Sequence, residues 1–354
     1  GTRVVRNAAQ NHYEPLRSAF GAFVAETTFI GNCNLFVEGQ ADQVLLAGMS
    51  SLSLRLRKQA ETLDLNTLTL VPAGGASHIP YLVYLARGRD IDKPAVIVLL
   101  DGDKAGEDAK RELQRGYRKK RLVADRHVLH LGDLPLDQLS IDTDGVRDLE
   151  DLVPADVALV AIGKCAEEAL GDDAPTVLTA LKPFSVPTGQ KLFAAAEQAA
   201  VDASGSLDRP LTLDKVAFAR AVVEATAQAT AEVQDRILGN FHVLFARLAE
   251  MQRNSMSETT HERISRTINR LRANFLKDHP TTATKSQVTI LLEEVERQLV
   301  DASDEAESIR RISREIASEF QLSLNPRDRV ENYELLAHRL KEMAYKPLAD
   351  VQND

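Results

Sequence analysis

Asn34-Leu35-Phe36-Val37-Glu38-Gly39-Gln40-Ala41-Asp42 and Val98-Leu99-Leu100-Asp101-Gly102-Asp103 are two apolar runs that end abruptly in acid. Apolar runs of about four to eight residues mark strands buried on both faces. A carboxylate just past such a strand stands at the carboxyl edge of a sheet, where open α/β folds keep their sites. Two such edges bring Glu38, Asp101 and Asp103 together, with Asp42 one helical turn beyond Glu38. Crowded carboxylates resist ionising together. A hard divalent cation bound through oxygen relieves that conflict. The residues therefore point first to a Mg²⁺ or Mn²⁺ site.

Working outward, the spacing predicts strands over 34–38, 67–72, 95–101 and 127–131, with helices near 41–62, 77–89 and 103–116 between them. Alternating strands and helices make a parallel sheet with both faces covered. Gly74-Gly75 after the second run permits a tight turn and a close backbone approach to a ligand. Beyond about residue 132 a polar loop leads into Arg147-Asp148-Leu149-Glu150-Asp151-Leu152, then helices near 155–171, 174–182 and 188–203. Thr212-Leu213-Asp214-Lys215 opens another. From about 228 the chain reads as helix after helix. Ile264, Ile268, Leu271 and Phe275 form one apolar stripe, expected in the core or at a dimer interface.

The 354 residues allow two or three domains, and 44% hydrophobic with 27% charged residues is ordinary globular composition. No run approaches the ~18 apolar residues of a membrane span, and no basic-then-apolar leader is seen, so no membrane association is expected. Cys33 and Cys165 sit in apolar segments and read as buried thiols of a cytoplasmic protein, not as a disulfide or zinc framework. A net charge of −9 argues against bulk attraction to nucleic acid but leaves room for a local basic patch. Lys110, Arg111, Arg115, Arg118, Lys119, Lys120, Arg121 and Arg126 crowd one such stretch around Tyr117, suited to DNA phosphates. Arg263, Arg266, Arg270 and Lys277 share a second basic helix face, more simply read as solvated.

Val37-Glu38-Gly39, Asp42 and Leu100-Asp101-Gly102-Asp103-Lys104-Ala105-Gly106 together resemble the Toprim domain of topoisomerases, primases and OLD (overcoming lysogenization defect) nucleases. That domain carries a glutamate after its first strand and Asp-x-Asp after its third. Asp42, Gly74-Gly75, Asp148-Leu149-Glu150-Asp151 and the segment Leu213–Ala219 with Lys215 are most similar to the catalytic C-terminal half of OLD nucleases. The resemblance covers about residues 30–225. It implies a Toprim fold, a Rossmann-like parallel sheet flanked by helices, followed by an all-α helical domain. The expected divisions are 1–30, a helical segment packing on the catalytic domain; 31–227, the Toprim catalytic domain; and 228–354, the helical domain.

The implied activity is a DNA endonuclease using two divalent cations, Mg or Mn. Glu38 and Asp42 would hold one ion with Asp101 nearby or shared; Asp103, Glu150 and Asp148 would hold the other. Lys215 would be the catalytic lysine, with Lys191, which also opens an alanine-rich helix, as its rival. The family pattern has a small hydroxyl residue where Asp148 stands. The sequence has no Gly-x-x-x-x-Gly-Lys-Ser/Thr phosphate loop, so the resemblance implies an ATPase domain as N-terminal partner in the full-length protein. A homodimer is a further expected assembly. The alternatives are a topoisomerase or primase fragment, although no tyrosine stands in a recognisable nucleophile motif, and a non-catalytic helical DNA-tethering or dimerisation module.

Overall fold

Every residue of β1 (Cys33–Val37) is buried, as a strand covered on both faces requires. In this computed structural model, which describes residues 32–56, 61–87, 93–116, 121, 123–182, 184–207, 210–299 and 303–344, β1 pairs in parallel with β2 (Leu68–Pro72) and β3 (Ala95–Leu100). The short β4 (Val128–His130) adds to the far side of β3, giving one parallel sheet in the order β2-β1-β3-β4. The N-terminal segment 1–30 expected to be helical lies outside the described residues.

Side chains alternate across each strand. Cys33, Leu35, Val37, Ala95, Ile97 and Leu99 enter one apolar cluster, while Phe36, Val96, Val98 and Leu100 enter another. Helix α1 (Gln40–Arg55) covers the first face through Leu45, Leu46 and Met49. Helices α2 (Ile79–Arg87) and α3 (Lys104–Arg115) cover the second through Ile79, Val83, Ala109 and Leu113. This split follows from strand order. The chain leaves β1 toward β2, then returns across β1 to β3 and β4, so crossovers of one hand place helices on opposite faces. The connections from β1 and β3 therefore diverge, and the crevice between their carboxyl ends is a topological switch point.

After β4, residues 131–154 cross the carboxyl rim in short 3₁₀ turns before α4 (Ala155–Leu170), α5 (Ala174–Ala180), α6 (Leu192–Ser204) and α7 (Lys215–Gln228). Helix α7 packs on both α1 and α4. The 48-residue α8 (Ala231–Asp278) contributes Ile237, Leu238, Phe241, Leu244, Phe245 and Leu248 to the cluster that backs β1. Ser255 on α8 meets β3 where β4, paired only from Val98 onward, does not reach. Its hydroxyl accepts from the Val96 N–H at 3.1 Å and donates to the Val96 carbonyl at 3.0 Å. Ser255→Ala orphans both backbone groups and is expected to cost about 1–3 kcal/mol in urea unfolding; an unchanged midpoint would mean that water replaces the hydroxyl. Cys33 and Cys165 are free and buried, and burial pushes their thiols up to about 12 and about 11.

The chain divides into two compact units at Met256/Ser257, inside α8. A helical region starting at 228 was expected from sequence; the first half of α8 lies instead with the sheet, because its apolar face completes that core. Among its described residues the second unit has helices and no strand. In it α9 (Lys285–Gln298), α10 (Asp304–Glu319) and α11 (Tyr333–Glu342) enclose a core with Ile264, Ile268 and Phe275. That stripe is therefore core within its own unit and is not available as a dimer interface. Thr284 caps α9 in a reciprocal box with Gln287. Among the described residues no helix is long and apolar enough to cross a membrane.

Candidate functional site

Glu38 and Asp101 follow directly on the adjacent strands β1 and β3, and the Asp101 N–H donates to Glu38 Oε1 at 2.9 Å. Asp42, in the first turn of α1, is buried and accepts from the Gly39 N–H at 2.7 Å. Asp103 caps α3: its Oδ1 accepts from Ala105 and Gly106 at 3.0 and 3.1 Å. The glycines of this turn are dictated by crowding. A Cβ on Gly106 would lie 2.1 Å from the Asp101 carbonyl oxygen. One on Gly102 would lie 2.3 Å from the Val146 carbonyl oxygen and 2.9 Å from the Gly132 nitrogen. Gly74 and Gly75 adopt φ of 77° and 127°, and the Gly75 N–H donates to the Glu38 carbonyl at 2.8 Å.

The close approach at Gly102 brings the rim-crossing loop over the site. The Gly102 N–H donates to the Arg147 carbonyl at 2.6 Å. Asp151, taken from sequence only as part of an acidic cluster, is a buried brace. It accepts from the Arg147 N–H at 2.8 Å with one oxygen and from the Leu192 N–H at 2.7 Å with the other, tying the loop to the start of α6. The buried Asn240 of α8 holds the loop's flanks. Its side chain accepts from the Ser140 N–H at 2.7 Å and donates to the carbonyls of Ser140 and Leu152 at 3.1 and 2.8 Å. Between these anchors Asp148 and Glu150 are buried, and Asp148 Oδ1 and Glu150 Oε1 have no hydrogen-bond partner.

Two lysines at helix starts face these acids. Lys191 Nζ, just before α6, lies 3.1 Å from Asp103 Oδ2 and 3.7 Å from Asp148 Oδ2. Lys215 Nζ, at the start of α7, lies 3.0 Å from Glu150 Oε2, close enough for an ion pair without hydrogen-bond alignment, and 4.0 Å from Asp148 Oδ2. The Phe193 ring flanks Lys215 at 6.0 Å. The structure thus gathers all six acids expected from sequence, Lys215, and Lys191, whose pairing with Asp103 had no local signal. The tie of Asp151 to Leu192, the contacts of Asn240 and the spatial demand on Gly102 had no local signal either, since each runs through partners remote in sequence.

The electrostatics follow from six carboxylates facing two ammonium groups. Burial, then the charges of Glu38, Asp42 and Asp148, push Asp101 up to about 9 despite Lys215. Burial raises Glu150 to about 7, with Lys215 opposing and Asp148 and Asp42 adding to the rise. Glu38 and Asp42 are raised, chiefly by burial and against the N–H groups they accept from. Asp103 is held below its ordinary value: burial opposes, but the Gly106 and Ala105 N–H groups and Lys191 outweigh it. Both lysines are raised, because the surrounding carboxylates outweigh burial. Among the described residues no three metal-binding side chains lie as a ready ligand set. The unpartnered buried oxygens and the proton-retaining Asp101 nevertheless suit a hard cation chemically.

Within the basic stretch, Lys110 pairs with Asp133 at 3.0 Å, Arg111 with Asp108 at 2.6 Å and Arg121 with Asp125 at 3.0 Å. Tyr117, Arg118, Lys119 and Lys120 lie outside the described residues. Helix α3 runs from Asp103 toward this stretch, about 18 Å over its twelve residues. On the other basic face, Arg266 pairs with Glu262 at 3.0 Å.

No family model matches the chain, and no curated protein matches it. Among solved structures, the C-terminal region of the Burkholderia pseudomallei OLD protein is similar at 16% identity, covering 62% of this chain and 100% of that one, with a TM-score of 0.33. A likeness at that level carries no weight on chemistry. What stands is a parallel α/β sheet with helices on both faces, whose carboxyl rim gathers six acids and two lysines.

Proposed function

We propose that this chain is a DNA endonuclease that hydrolyses phosphodiesters with two divalent cations, Mg²⁺ or Mn²⁺, on a Toprim-type core, as the catalytic half of an OLD-type nuclease. The observation that carries the reading is the excess of carboxylate over ammonium at the β1/β3 switch point, with buried oxygens left unpartnered. Glu38, Asp42 and Asp101 would hold one ion, and Asp103, Asp148 and Glu150 the other. When bound, such a pair supplies Lewis-acid charge to the attacking and leaving oxygens and lowers the pKa of a water.

The chain's own residues do the rest. Lys215 is raised and remains an ammonium throughout the working pH range, so it acts as a fixed charge toward developing negative charge and not as a base. Asp151 and Asn240 hold the loop that carries Asp148 and Glu150, which sets ligand geometry before substrate arrives. The Asp101 N–H orients Glu38 by donating to Oε1. Lys110, Arg111 and Arg115 on the later turns of α3 would meet DNA backbone away from the cleaved bond. An N-terminal ATPase domain would complete the full-length protein.

Supercoiled plasmid is expected to be nicked and linearised with Mg²⁺ or Mn²⁺ and left intact with EDTA. Lys215→Ala is expected to lower the rate by about a hundredfold to a thousandfold, the scale for losing one aimed charge, while Mn²⁺ binding persists. Intact plasmid under every metal condition would overturn the reading. A covalent protein–DNA adduct would instead indicate topoisomerase chemistry.

A further inference from the structure

The two halves of the acid cluster differ in one respect. Both lysines stand on the Asp103, Asp148 and Glu150 side. Among the described residues, Glu38, Asp42 and Asp101 have no cationic side chain within ion-pair distance. Asp103 is the pivot. Its Oδ1 is committed to the first N–H groups of α3, so Oδ2 is the oxygen left to face a cation, and Lys191 holds it at 3.1 Å. The same ammonium lies 3.7 Å from Asp148 Oδ2.

A divalent ion ligated by those two oxygens would sit about 2.0–2.6 Å from each. It would then be within a few ångströms of the Lys191 ammonium, where two cations repel strongly. Either the lysine or the ion can hold that position, but not both. We infer that Lys191 is a built-in competitor for the second divalent ion, so that the site fills one ion at a time. This inference rests on the two-cation reading above. The first ion enters the half formed by Glu38, Asp42 and Asp101. The second enters only as the Lys191 ammonium leaves Asp103. The Lys191 side chain is 30% exposed, so its ammonium can swing out to water or to a substrate phosphate. Phosphate binding and second-ion binding are then coupled through one side chain, since each removes the other's obstacle.

The test is calorimetric titration with Mn²⁺ alone on the full chain, comparing wild type, Lys191→Met and Lys191→Arg, each confirmed as folded by circular dichroism. Wild type is expected to show one tight and one weaker class of site. Lys191→Met should strengthen the weaker class by about fivefold or more, the scale of a partly exposed ion pair, and leave the tight class unchanged. Lys191→Arg, which keeps a cation in place, should retain the wild-type pattern. Two-ion binding with superimposable isotherms for wild type and Lys191→Met would overturn the inference and leave the nuclease reading standing. Absence of Mn²⁺ binding in both proteins would overturn the metal reading and the inference with it.

Discussion

Asp101→Asn is expected to abolish metal-dependent cleavage, by about a thousandfold or more, and at the same time to stabilise the protein in EDTA at neutral pH and above. The first effect follows from position. Asp101 stands at the switch point between β1 and β3, where it would hold the first ion with Glu38 and Asp42. Losing that ligand removes about 4 kcal/mol or more of transition-state stabilisation. The second effect follows from its raised pKa. Burial, then Glu38 and Asp42, lift the carboxyl from 3.8 to about 9. Between those values the unfolded chain releases the proton and the folded chain keeps it. The folded state binds more protons, so stability falls as pH rises through that window. An asparagine has no proton to lose. The thermal midpoint in EDTA should therefore fall from about pH 5 to about pH 9 for wild type and fall less for Asp101→Asn. Saturating Mn²⁺ should reverse the wild-type loss. Parallel melting curves for the two proteins across that range would show that Asp101 is not crowded as described.

Gly102→Ala is expected to have the second largest effect, through packing. Its Cβ would meet backbone of two segments, 2.3 Å from the Val146 carbonyl oxygen and 2.9 Å from the Gly132 nitrogen. Backbone cannot rotate away as a flexible side chain can, so the loop must lift off the sheet edge. The expected cost is about 3 kcal/mol in denaturant unfolding, within the range for overpacking a tight contact. The loop also carries Asp148 and Glu150, so Mn²⁺ binding on that side and cleavage should fall together. Gly145→Ala, in the same loop but with open space around its Cβ, is the control and should change little. Equal stability of the two variants would contradict the close crossing at Gly102.

The strands and their terminal acids were legible because each depends on a short local pattern. Cys33–Val37 and Ala95–Leu100 are unbroken apolar runs, and a two-sided strand needs nothing else to be recognised. The helices after them begin at Gln40 and Lys104, with Asp42 and Asp103 in the first turn and cap, where helix starts favour acids. Asp148 and Glu150 were reachable only through family resemblance, because no local pattern ties residues 148–150 to β1. The basic stretch looked like free positive charge, yet Lys110, Arg111 and Arg121 each face an acid in the structure. The Ile264, Ile268 and Phe275 stripe had a correct period but an undetermined partner, and folding supplied one from α9 to α11.

By itself the sequence determined a parallel α/β core and the acids at its carboxyl edge. These are consequences of side-chain period and residue type within about ten positions. Tertiary structure decided what depends on distant partners: the order β2-β1-β3-β4 that sets Glu38 beside Asp101 at the ends of adjacent strands, and the loop crossing at Gly102. It also decided the bracing by Asp151 and Asn240, and the seat of Lys191 beside Asp103, 88 residues away in sequence. No local propensity encodes such a pairing, because it exists only once the core has set the starts of α3 and α6 within reach of each other.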